Sequence, residues 1–107
     1  MEIPNLKSID DLAHGDLTFK AKFIQILKEE FPIEKAEYLD NMKKCRMEES
    51  ANNVHKLKHK LSILGLFQDY ELAIKHEEAL NEGNTEYAEE FLNVLKKVEE
   101  FIINIES

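Results

Sequence analysis

Apolar residues along this chain recur at steps of three and four, and no segment alternates apolar and polar residues over a strand length. That pattern predicts helix almost throughout. A short first helix is expected in SIDDLAHGD, capped by Ser8, stopped around Gly15, and carrying Asp10 and Asp11 at the positive end of its dipole. Asp16 is placed to cap the next helix. On that helix Phe19, Phe23, Ile26 and Leu27 are expected to share the buried face, continued beyond Pro32 by Ile33, Ala36, Leu39 and Met42, in one long bent helix or two in line. A third helix follows KKCRMEES, with Met47, Val54, Leu57, Leu61 and Leu64 as its inward stripe and Gly65 near its end. Asp69 is a candidate cap for a fourth, through Leu72, Ala73, Ala79 and Leu80, with Gly83 as a left-handed stop. From Thr85 or Glu86 onward, Phe91, Leu95, Val98, Ile102 and Ile105 form the seam of a helix packed in a bundle.

The 107 residues make one domain, 1–107, long enough for a modest core and free of repeats, linkers or low-complexity tracts. One cysteine, Cys45, excludes a disulfide framework or a multi-cysteine metal site and suits a reducing compartment, so a cytoplasmic location is expected. MEIPNLKSIDD lacks the basic-then-apolar order of a targeting segment, and no membrane association is expected.

Charge changes the picture. A net charge of -8 argues against a nucleic-acid partner, because phosphate backbones are bound by a surplus of Lys and Arg. Yet the balance runs from -4 over residues 1–42 to +4 over 43–60 and -8 over 61–107. The positive island contains VHKLKHKLSILGL, residues 54–66. Such an island can receive a phosphate or an acidic protein surface, or be simply a solvated face.

On a helical wheel Val54, Leu57, Leu61 and Leu64 span about 80°, and His55, His59, Ser62 and Leu66 lie about 100–160° from the centre of that arc. Both imidazoles are therefore expected at the surface, with Lys58 one turn from His55. Two histidines at i and i+4 can chelate a metal, but a site needs further ligands. Neither HExxH nor a Glu-x-x-His is present, so no metal site is assigned. No P-loop is present either, so nothing visible lets the chain bind a nucleotide and phosphorylate itself. A solvent-facing imidazole beside a lysine can still act as a nucleophile toward an activated phosphoryl group, the ammonium offsetting the charge on its oxygens. His14 and His76 are read as surface residues, and Lys56 and Lys60 as solvated charges.

In its residues the stretch resembles the signature of histidine-containing phosphotransfer (HPt) domains. There a histidine is followed by Leu two on, Lys three on, usually Gly four on, and Leu-Gly nine and ten on; here those places hold His55, Leu57, Lys58, His59, and Leu64 with Gly65. The resemblance implies an all-α, antiparallel four-helix bundle with a short extra amino-terminal helix and no autokinase activity. It implies that His55 takes a phosphoryl group from an aspartyl phosphate on one receiver domain, that of a hybrid sensor kinase, and gives it to the aspartate of a response regulator. Lys58 would stabilise phosphate charge, and Gly65 would be structural. The receivers would supply Mg, so no cofactor is implied, and a monomer suffices. His59, Ser62, Ile63 and Leu66 are the candidate receiver-docking surface, with Ile63, Leu66 and Phe67 read equally as an apolar docking patch or as cover for the neighbouring helix. The departures are His59, where the family usually has Gly, and Lys60, larger than the residue common at its place. They leave open a helical adaptor, a degenerate HPt domain that binds receivers without efficient transfer.

Overall fold

The computed structural model describes residues 2–105, and these form five helices with no strand among them. They are α1 (Lys7–Ala13), α2 (Leu17–Lys43), α3 (Met47–Ile63), α4 (Phe67–Asn81) and α5 (Ala88–Asn104). Short connections force α2 to α5 into antiparallel neighbours. α3 packs between α2 and α4, α5 closes the other side against the same two helices, and α1 lies on α2. The expected four-helix bundle with a short amino-terminal helix is thus the architecture found. No helix among the described residues is long and apolar enough to cross a membrane.

The helix ends follow local chemistry. Asp16 caps α2 by accepting from the Phe19 N–H at 3.0 Å. Ser8 does not cap α1; it lies inside the helix, and the Asn5 carboxamide accepts from the Lys7 N–H at 3.0 Å instead. Asp69 lies in the first turn of α4 rather than at its cap. The capping acceptor comes from far away in sequence: the Glu2 carboxylate takes the N–H groups of Gln68 and Asp69 at 2.8 and 3.1 Å. Lys97 then ties Asp69 (2.6 Å) to the Glu2 carbonyl (3.0 Å), strapping the amino-terminal segment across the α3–α4 turn.

α2 runs unbroken through Pro32, and its buried face differs from the expected one. Ile24, Leu27, Phe31 and Tyr38 enter the core, whereas Phe19, Ile26, Ile33, Ala36 and Leu39 are exposed and Phe23 and Met42 are half-buried. The helix carries two apolar faces roughly 130° apart at 100° per residue, so periodicity by itself does not choose between them. Packing against α3 and α5 selects the face with the aromatic pair Phe31 and Tyr38. The stripes on α3 and α5 are as expected: Val54, Leu57, Leu61 and Leu64 are buried, as are Phe91, Leu95, Val98 and Ile102.

The α3–α4 turn sets the position of the site. Leu66 N–H bonds Leu61 C=O at 2.9 Å and Gly65 N–H bonds Ser62 C=O at 3.1 Å, a Schellman end with Gly65 left-handed at φ +77°. Asn5 packs on Gly65 so closely that a Cβ there would meet its Nδ2 at 2.5 Å. Gly65→Ala is therefore expected to cost about 2 kcal/mol, backbone strain plus displacement of the strap, read as a lower urea midpoint with unchanged helicity.

Candidate functional site

α3 presents His55 to solvent because the stripe Val54, Leu57 and Leu61 fixes the helix rotation. The His55 side chain is 55% exposed, and its Nδ1 lies 3.2 Å from Glu77 Oε2 on α4. A carboxylate can only accept, so Nδ1 carries the proton and donates it, leaving the lone pair on Nε2. The second Glu77 oxygen, Oε1, accepts from Lys58 Nζ at 3.0 Å. One carboxylate thus joins the imidazole to the ammonium. Lys58 is mostly covered, 14% exposed, so this pair is better shielded from water than an ordinary surface bridge.

Glu77 lies outside the residues expected from the sequence. Its signal is faint, one glutamate among several on α4, and its pairing with His55 spans 22 positions. Its placement depends on its neighbour. His76, read above as a surface residue, is fully buried: it occupies the stripe Ala73, His76, Leu80, and its Nε2 shares a 2.6 Å hydrogen bond with the Tyr38 hydroxyl. Its ring also packs against Phe91, with centroids 5.1 Å apart. The spacing of three and four was the signal for His76; the acidic residues around it masked it. Burial pushes the His76 imidazole down to about 4 and raises the Tyr38 phenol well above its ordinary value. With His76 locked inward, α4 turns Glu77 toward α3.

His59 is exposed, and its ring stands edge-on to His55 with centroids 5.3 Å apart, so it flanks the His55 imidazole directly. Lys56 is exposed as expected. Lys60 is not a solvated charge: it is 12% exposed and reaches across to α2, 2.9 Å from Glu34 and 3.3 Å from Glu30. The positive island is thereby partly neutralised, Lys58 pairing with α4 and Lys60 with α2. Of the expected docking residues, Ser62 and Ile63 are half-exposed, but Leu66 is fully buried. In a Schellman end the residue after the glycine folds back onto the last turn, which carries Leu66 onto Leu61 in the core. The exposed apolar residue at this end is Phe67, at 63%. His14 is a surface residue, as expected.

Comparisons with protein-family models, curated proteins and solved structures found no match. The chemistry of the site therefore rests on its own geometry. An oriented imidazole with an outward lone pair, a cation one carboxylate away and an open approach can attack an electrophile delivered by a partner. Among the described residues no group of three or more His, Cys, Asp or Glu side chains gathers to hold a metal ion.

Proposed function

We propose that this chain is a phosphoryl carrier of the histidine-phosphotransfer type. His55 Nε2 attacks the phosphorus of an aspartyl phosphate on a receiver domain, the P–O bond to the aspartate breaks, and the aspartate leaves as a carboxylate. The Nδ1 proton stays on His55, in its hydrogen bond to Glu77, so the charge that develops on the ring lies beside an anion. The phosphoryl group then passes to the aspartate of a second receiver by the reverse displacement. Lys58, held 3.0 Å from Glu77, supplies positive charge near the transferred oxygens. The divalent metal of this chemistry belongs to the receiver. The observation that carries the reading is the His55–Glu77–Lys58 arrangement, which fixes the nucleophilic tautomer at an exposed position on the bundle.

One observation favours a second reading, an adaptor that occupies receivers without efficient transfer: the His59 ring stands edge-on to His55 where the HPt pattern has an open surface. The two readings part in one assay. Incubation with phosphorylated receiver domains and magnesium is expected to move label onto the chain in an acid-labile, base-stable form. Binding of receivers with no label from any of them would establish the adaptor; neither binding nor label would sink both.

A further inference from the structure

The outward face of α2 has a second organisation that the phosphoryl site does not use. Phe19, Ile26 and Ile33 are 42%, 45% and 61% exposed and spaced by seven, so they form a single seam within roughly 40° of arc on the helix surface. Charge along the same helix is polarised. Residues 17–28 carry Lys20, Lys22 and Lys28 and no acid, whereas residues 29–43 carry five acids against Lys35 and Lys43. With Lys20 paired to Asp10, Lys35 to Glu99, Asp40 to Lys44, and Glu30 and Glu34 to Lys60, the charges without an ion pair among the described residues are Lys22 and Lys28 in the first half and Glu29 and Glu37 in the second, with Lys43 at the helix end. A helix whose halves are opposite in sign complements an antiparallel copy of itself.

We propose that this face of α2 is a homodimer interface, two copies packing antiparallel about a two-fold axis that passes between Glu29 and Glu30. In this register Ile26 meets the partner's Ile33, and Lys22 meets the partner's Glu37, each contact occurring twice by symmetry. Lys22 and Glu37 are both exposed, and neither has an ion-pair partner among the described residues, so both are available for the contact. A parallel pairing would instead set Lys22 against its own copy. The cost of this register is the meeting of Glu29 and Glu30 at the axis. It is reduced because Lys60 lies 3.3 Å from Glu30 and Gln25 donates to Glu29 at 2.9 Å. The seam is short, so the dimer is weak and depends on salt. It lies on α2, whereas His55 and Glu77 lie on α3 and α4, so dimerisation leaves the imidazole accessible. The inference does not depend on the phosphoryl reading.

Sedimentation of the full chain over a wide concentration range, at low and high salt, tests it. A reversible monomer–dimer equilibrium weakened by salt is expected, and it should be lost in Ile33→Asp. Lys22→Glu and Glu37→Lys are each expected to weaken the dimer by roughly ten-fold or more, and the double exchange Lys22→Glu with Glu37→Lys to restore it. Circular dichroism melts confirm that these surface variants fold. A chain that stays monomeric at the highest concentration overturns the proposal. So does a dimer indifferent to the two charge changes, or one that Lys22→Glu strengthens.

Discussion

His55→Gln is expected to reduce phosphoryl acceptance to background, a fall on the order of 10³-fold or more, while leaving thermal stability nearly unchanged. The glutamine keeps a polar group of similar length on an exposed helix position, so the fold loses little. The amide has no lone pair comparable in nucleophilicity to that of imidazole, so no phosphoramidate forms. Glu77→Ala separates orientation from nucleophilicity: His55 keeps its ring but loses the partner that holds the proton on Nδ1, and Lys58 loses its anchor. An intermediate loss, roughly ten-fold, is expected there. His59→Gln should retain the label, because His55 has its Nδ1 held by the Glu77 carboxylate, whereas His59 has no carboxylate partner among the described residues. All three variants are compared with wild type by initial rates of label transfer from the same phosphorylated receiver. If His55→Gln still accepts label and His59→Gln does not, the nucleophile has been misassigned.

Acid is expected to destabilise the bundle through His76, by about 3 kcal/mol between pH 7 and pH 4. In the unfolded chain this imidazole takes a proton at the ordinary 6.5, whereas burial holds it neutral in the fold down to about 4. The unfolded state thus binds the extra proton throughout that window. The contribution of His76 to stability is complete above 6.5, declines as pH falls, and is gone near 4. An imidazolium would have to be accommodated beside Tyr38 and Phe91, with a buried Nδ1 that has no partner among the described residues. Urea unfolding of wild type and His76→Gln across this pH range gives the check. The stability difference between the two, whatever its value at pH 7, should shrink by about 3 kcal/mol at pH 4, since glutamine does not titrate. A difference constant with pH would falsify the linkage. Because His76 fixes the rotation of α4 that presents Glu77, the same acidification should loosen the carboxylate on His55.

Helical content followed from the spacing of apolar residues on α3 and α5, because an inward stripe at three and four is a property of the helix alone. Gly65 and Gly83 end helices where expected, each at φ +77°, because the left-handed conformation is a local requirement. His55 and Lys58 lie near each other on α3 for the same local reason. Leu66 leaves the exposed band expected for it because a Schellman turn reverses the chain, which a helical wheel extended past Gly65 does not represent.

Everything that depended on a second helix was decided elsewhere. Which of two apolar faces on α2 is buried was settled by what α3 and α5 offered it. Glu2 and Asp69 met at the start of α4 only because the fold returned the amino terminus there. Lys60 found Glu34 and Glu30 on α2, and Lys58 found Glu77 on α4, so an island that reads as +4 in sequence is partly neutralised in space. The sequence by itself determined the helices, most of their ends and the exposed imidazole. Only the tertiary structure decided which nitrogen of that imidazole is free, because the tautomer is set by a hydrogen bond to a carboxylate 22 residues away.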